Sequence, residues 1–351
     1  MDKWLTTVLV KEIKVGKWYL APLDLLVLIG MTVSGIMLRV TVADAYPVLE
    51  NFMDYVSVEA GIRMISYLFD WAIAILLSVM VYHLTKHKIQ SFLAYGIAFV
   101  LPVFVSASAM WSLGDSIYLF FALLSLSFYI CGKRSVAVLV LGIGVFFHLN
   151  GLFLLPLYVL AYLQGKIKLP YFISPMAAVI LHFVLAKGNY FVLFQAENAL
   201  LQQRESKLLS YNCPNVFYLI GPDKFVNEYE KVALFFALGL IMILVLVLLK
   251  RQFGNTSNES LEIALLLCLF LPFVLPWMNE RSLLLACGIS LLYGFAKLQR
   301  FWMPIVLTII TYISYSAFFR GESAVPLTGV AFVVFFLIAY MVRKILDEIA
   351  F

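Results

Sequence analysis

The segment "SAMWSLGDSIYLFF" (108–121) holds a carboxylate, Asp115, between two apolar runs, with Trp111 and Tyr118 close on either side. A charge at membrane depth costs a few kcal/mol on insertion scales, so it is rarely kept there without a role. Residues able to do chemistry recur in a few other short segments. "RVTVADAYPVLENFMDYVSVEAGIR" (39–63) carries Asp44, Glu50, Asp54 and Glu59, and "HLNG" (148–151) carries His148 and Asn150. "QAENALLQQRESKLLSYNCPNVFYLIGPDKF" adds Arg204, Lys207, Asn212 and Asn215. "LPWMNERS" adds Asn279, Glu280 and Arg281, and "FRGES" adds Arg320 and Glu322. No metal-ligand spacing, Gly-rich phosphate loop or Ser-His-Asp order is present. Carboxylates, arginines and amides suit proton abstraction from a hydroxyl beside a bound anion.

The elements that must position these residues follow from composition. The 351 residues are 64% hydrophobic and 13% charged, too apolar for the surface of a soluble domain. The net charge of +5 is spread in small basic clusters between apolar runs, which is not the patch of a nucleic-acid binder. The chain therefore reads as an all-α polytopic membrane protein forming a single domain over 1–351. With about 20 apolar residues per crossing and fewer where helices are short or broken, twelve spans are expected. They lie near 20–40, 64–84, 91–110, 117–131, 136–148, 151–163, 170–186, 232–249, 261–278, 283–296, 301–318 and 326–342.

Lys and Arg stay on the cytoplasmic side, and alternate loops contain Lys86/Lys88, Lys133/Arg134, Lys166/Lys168, Lys250/Arg251, Lys297/Arg300 and Arg343/Lys344. This alternation fits twelve spans with both termini inside and breaks with eleven. Residues 1–19 carry four lysines without a signal-cleavage site and read as an amphipathic segment on the cytoplasmic face. The polar segments then fall on the opposite face, in a first outer loop (41–63), a long outer loop (187–231) and several turns.

Each of these residues also has a plainer reading. Asp115 can be an N-cap favoured by the helix dipole, Glu280–Arg281 a structural ion pair, and Glu50 and Glu59 mere solvation of a loop. His182 reads as a hydrogen-bonded core histidine. Leu49, Phe52, Met53 and Val56 recur at helical spacing and predict a short helix in the outer interface, with Asp44 just before it.

The outer segments, in this order, resemble integral-membrane glycosyltransferases of the GT-C type that use polyprenyl-phosphate sugars. The closest branch looks like bacterial relatives of the second mannosyltransferase of GPI-anchor assembly. "ADAYPVLENFMDYVSVEAG" supplies the early Asp44 and Gly61 of that pattern. "WSLGDSIY" keeps Trp111, Asp115, Ile117 and Tyr118 but lacks the family's Gly and Gln, and "YNCPNVFYLIG" matches an Asn-x-Pro-Asn stretch with Asn212, Pro214 and Asn215. Two departures stand out: His148 of "HLNGLFLLP" occupies a family Lys position, and "MNERS" keeps Glu280 and Arg281 without the family's His and Tyr.

The resemblance implies an inverting single displacement of a mannose-like hexose from a polyprenyl-phosphate carrier to a glycan or lipid-linked acceptor. Asp44 is the expected base. Arg281, Arg204 and His148 are expected at the departing phosphate, and Asp115 at sugar or acceptor hydroxyls or holding the base loop. Trp111, Tyr118, Asn150, Asn212, Asn215 and Glu280 complete the expected substrate contacts. No cofactor is required beyond the donor, although Asp44 and Asp115 leave room for a divalent cation. The expected partners are membrane lipids, no nucleic acid, and a separate polyprenyl-phosphate sugar synthase in a bacterial plasma membrane. Two rival readings are a polymerase of lipid-linked polysaccharide repeats and a lipid-linked-sugar flippase or transporter.

Overall fold

The computed structural model describes residues 13–15, 18–45, 56–111, 114–188, 208–221, 229–250 and 256–347. In that range the protein is helical apart from two short β pairings. The helices are α1 (Pro22–Ala45), α2 (Val56–Thr85), α3 (Lys88–Val100), α4 (Pro102–Ser106, continued by a π turn over Ala107–Trp111), α5 (Asp115–Ile130) and α6 (Arg134–Phe147). They continue as α7 (Leu155–Leu163), α8 (Ile173–Gly188), α9 (Val216–Ile220), α10 (Glu230–Lys250), α11 (Ser257–Val274), α12 (Leu284–Ala296), α13 (Trp302–Arg320) and α14 (Leu327–Asp347). Seven of the described helices are long and apolar enough to cross a bilayer, and the bent α3–α4 pair gives an eighth. Four shorter apolar helices lie among them, at Asp115–Ile130, Arg134–Phe147, Leu149–Leu163 and Leu284–Ala296. The protein is an all-α polytopic membrane protein. Hydrocarbon offers no partner for a backbone amide, so each apolar run satisfies its own groups as a helix.

Burial sorts the helices. Met37 on α1 and Phe235 on α10 are 65% and 74% exposed, which is tolerable only against lipid. By contrast, every residue of α11 from Ser260 to Leu269 and of α12 from Leu284 to Phe295 is buried. These two helices and α5 form the centre, with α6 packed along α5 and α8 along α6. The α6–α8 approach depends on a small residue, since a Cβ on Gly142 would come within 2.8 Å of the Ser174 backbone.

Several expected boundaries shift. The first outer loop begins later than residue 41, because α1 runs on to Ala45 and α2 starts at Val56. Arg39, expected at the outer edge of the first span, lies within α1 and in the buried interior. The interfacial helix expected around 49–56, with Glu50 and Asp54, lies outside the described residues, as do most of the long outer loop and Arg204. Part of the N-terminal segment is a hairpin, Ile13–Val15 pairing antiparallel with Trp18–Leu20. The third span is broken by 41° at Leu101, which is extended because the ring of the following Pro102 clashes with a helical backbone before it. The ninth begins at Ser257, where Thr256 accepts from the Glu259 N–H at 3.2 Å and the Glu259 carboxylate accepts from Thr256 in return. The break at "HLNG" is present, with His148 extended between α6 and a 3₁₀ turn.

One end of the centre is tied by charge. Glu262, near the start of α11, accepts from Lys297 Nζ at 2.6 Å, from Lys344 Nζ, and from the Tyr293 hydroxyl at 3.2 Å. A buried carboxylate is tolerable only when paired and hydrogen-bonded in this way. The network joins α11, α12 and α14 at the end of the bundle where the basic residues gather. Replacing Glu262 with Gln leaves two ammonium groups facing an uncharged amide. It should lower stability by about 1–3 kcal/mol, read as a fall in thermal midpoint in detergent relative to wild type, and an unchanged midpoint would show that the network is incidental.

Candidate functional site

The opposite end of α11 and α12 carries the polar cluster. The π turn brings Trp111 inward, and π turns of this kind concentrate at functional sites. Gly114 reverses the chain with φ +84°, a conformation glycine adopts without penalty, and α5 starts at Asp115. Asp115 is thus the first helical residue and not the N-cap, and its side chain makes no capping bond. It is 1% exposed, and its Oδ2 instead accepts from Arg281 Nη1 at 3.1 Å. The Arg281 guanidinium lies over the Trp111 ring at 5.2 Å, and Glu280 Oε1 is 3.7 Å from Arg281 Nε. Arg281 is therefore held mainly by Asp115, with Glu280 as a longer second contact.

A strap of the long outer loop fixes the turn that bears Arg281. Ser210–Tyr211 pairs in parallel with Met278–Asn279, Asn212 bridges to Asn279, and the Trp277 N–H donates to the Leu209 carbonyl at 2.8 Å. Within the turn the Asn279 side-chain oxygen accepts from Arg281 N–H at 3.2 Å and from the Ser282 hydroxyl at 3.0 Å. Cys213 is packed beneath, and burial pushes its thiol pKa up, with the nearby Glu280 charge acting in the same sense. Asn215, 0% exposed, caps α9 by accepting from the Phe217 N–H at 3.1 Å.

On the other side, the His148 ring stacks on Tyr118 at 4.9 Å, and its Nδ1 accepts from the Asn150 N–H at 3.1 Å. Tyr315 on α13 stands edge-on to Trp111 at 6.2 Å and within electrostatic reach of Asp115 and Arg281. Five buried polar atoms in these segments have no hydrogen-bond partner in the protein, Trp111 Nε1, Asp115 Oδ1, Ser116 Oγ, Asn215 Nδ2 and Tyr315 OH, while the Tyr118 hydroxyl and the Asn150 side chain face each other at close to hydrogen-bond range. Each such atom costs about 1–3 kcal/mol, so their concentration at one end of the bundle demands an explanation. Indole and amide nitrogens donate, hydroxyls do both, and the carboxylate oxygen accepts. Together they suit a ligand rich in hydroxyl groups. Beside them, a cavity of about 230 Å³ is walled by Leu38, Val42, Val105, Met110, Tyr315 and Arg320 among others, mostly apolar.

Of the sequence-predicted site residues, the structure brings together Trp111, Asp115, Tyr118, His148, Asn150, Glu280 and Arg281. Asn212 joins them through the strap, and Asn215 lies at the start of α9. Asp44 stands apart, exposed on the last turn of α1 and near Tyr67, and no described contact links it to Asp115. His182 shares a hydrogen bond with the Phe146 carbonyl at 2.9 Å and is a half-buried structural residue. Among the described residues, no three His, Cys, Asp or Glu side chains gather as metal ligands. Sequence reasoning missed Tyr315 and Ser116. The clue to Tyr315 was the run of hydroxyls Thr308, Thr311, Ser314 and Tyr315 along one apolar helix. Comparison with family models, curated proteins and solved structures returns no match to this chain.

Removing one partner of a buried pair strands the other charge. Arg281→Ala should therefore destabilise by about 3–5 kcal/mol, whereas Asp115→Asn, which leaves a hydrogen-bonding isostere, should destabilise less. Thermal unfolding of the two variants in one detergent compares them directly, and equal losses would contradict the pairing as drawn.

Proposed function

We propose that the protein is a GT-C type glycosyltransferase of a bacterial plasma membrane. It moves a mannose-like hexose from a polyprenyl phosphate to a glycan or lipid-linked acceptor on the extracytoplasmic face. Taking the bent pair as one crossing and the four shorter apolar helices as crossings gives the twelve spans of this topology. The basic loops then lie inside, with both termini. The observation that carries the reading is the buried, donor-rich set of unpartnered atoms around Asp115–Arg281, placed away from the basic end and next to an apolar cavity. An amphiphile with a sugar head and a hydrocarbon tail matches both halves of that arrangement.

In this reaction Asp44, the accessible carboxylate, takes the proton of an acceptor hydroxyl. The acceptor oxygen forms a bond to the anomeric carbon as the bond from that carbon to the phosphate oxygen breaks, inverting the centre. The electron pair leaves with the polyprenyl phosphate, whose growing charge is met by Arg281 and His148, with Arg204 as a further cation. Asp115, held to Arg281 through Oδ2, keeps that arginine in place and offers Oδ1 to a sugar hydroxyl. Tyr118, Asn150 and Trp111 donate to the rest of the sugar, while Asn212, Asn215 and Glu280 shape the outer wall. A dedicated polyprenyl-phosphate sugar synthase supplies the donor.

One observation favours a transporter of lipid-linked sugars instead: Arg39 and Asp70 form a buried ion pair well inside α1 and α2. A single assay separates the two readings. Purified protein given polyprenyl-phosphate hexose and an acceptor extract should release free polyprenyl phosphate. Asp44→Asn and Arg281→Lys should each slow that release by about 100-fold or more. Release that survives Asp44→Asn would remove that residue from the role, and transfer of labelled lipid across vesicles without consumption would replace the enzyme by a carrier.

A further inference from the structure

The Arg39–Asp70 pair has a second property that the reading above does not use. Arg39 is 0% exposed and Asp70 3% exposed, and Arg39 Nε donates to Asp70 Oδ2 at 2.7 Å. Asp70 lies near the middle of α2, and Arg39 belongs to the membrane-crossing part of α1. Replacing a buried ion pair with apolar residues is often neutral or stabilising, so stability alone does not account for one here.

Its remaining bonds point to the role. Arg39 Nη1 donates to the Phe99 carbonyl at 2.6 Å and to the Gly35 carbonyl at 3.0 Å, and the guanidinium lies 4.4 Å from the Phe99 ring centroid. Phe99 belongs to the last turn of α3, immediately before the 41° break at Leu101. The last carbonyls of a helix have no donors of their own, and Pro102 supplies none beyond the break. Arg39 thus satisfies an orphaned carbonyl where water does not reach. Tyr95, one turn earlier on α3, accepts from Trp71 Nε1 of α2 at 3.1 Å and shares a hydrogen bond with Thr32 of α1. The same three helices are therefore joined twice, once on each side of the turn that precedes the break.

Everything beyond the break leads to the site. Residues 102–111 run from Pro102 through the π turn to Trp111, whose ring is packed against Phe318 at 4.4 Å and Phe319 at 4.8 Å and lies beneath Arg281. Asp115 follows after four residues. We propose that Arg39 and Asp70 are positioning residues: the pair holds the broken helix at its bend, and so sets where Trp111 and Asp115 stand. This rests on the reading of that cluster as the ligand site. A lysine at position 39 keeps the charge for Asp70 but cannot also reach the Phe99 carbonyl with the same planar fork.

The test uses the full-length protein in nanodiscs, as wild type, Arg39→Lys and Asp70→Asn. Hydrogen exchange should rise about tenfold at the amides of 101–111 in both variants, with α10 to α12 and the thermal midpoint unchanged. Turnover of polyprenyl-phosphate hexose should lose kcat about tenfold with KM within twofold. Unchanged exchange at 101–111, or a rise spread evenly over all helices, would overturn the proposal, as would local loosening with full turnover. Should Arg39→Lys not fold, Asp70→Asn decides alone. Should wild type consume no donor, the transferase reading falls, and the exchange pattern by itself still decides whether the pair holds the bend.

Discussion

The pairing of Asp115 with Arg281 is the contact on which the described site depends. Both side chains are buried, one at the first residue of α5 and the other in the turn between α11 and α12. Neither charge is tolerable there without the other. Their bond therefore requires the π turn to enter from one side and the strapped turn from the other, and it draws Trp111 under the guanidinium. Atoms left over from this closure, such as Asp115 Oδ1 and Trp111 Nε1, have no hydrogen-bond partner in the protein. A rigid set of oriented dipoles in a dry setting is what binding and transition-state stabilisation of a polar group need.

The two ends of the central helices have opposite characters for related reasons. At the Glu262 end, one carboxylate is surrounded by Lys297, Lys344 and the Tyr293 hydroxyl, and its accepting Oε1 is satisfied several times over. That end is a tie. At the Arg281 end the ion pair is accompanied by unpartnered donors, and it borders an apolar cavity. That end keeps hydrogen-bonding capacity that the protein itself does not use. The difference follows from counting donors and acceptors and requires no appeal to relatives.

Much of the architecture was legible because lipid permits few solutions. A run of about 20 apolar residues must be a helix, and each expected run coincides with a helix or a bent pair. The break at "HLNG" was readable as well. What sequence reasoning missed depended on distances along the chain or on local chemistry set aside. Asp115 and Arg281 are separated by 166 positions, and no periodicity links them. Arg39 stood at the outer edge of the expected first span without a partner, yet Asp70 makes it tenable inside the helix. The Thr256–Glu259 capping box was present in the sequence and would have placed the start of α11 correctly. Of the candidate site, seven residues come together as a group, while Asp44 stands on a separate helix end.

The central claim is that the cluster around Asp115–Arg281 receives a sugar head group. A cryo-EM structure in nanodiscs containing polyprenyl-phosphate hexose tests it most directly. The account predicts density for the sugar within hydrogen-bond distance of Asp115 Oδ1, Tyr118 OH and Asn150 Nδ2, with the phosphate near Arg281 and the chain leaving along the cavity beside Tyr315. Density elsewhere, or a collapsed cluster whose polar atoms pair with one another while the lipid stays in bulk, would contradict it.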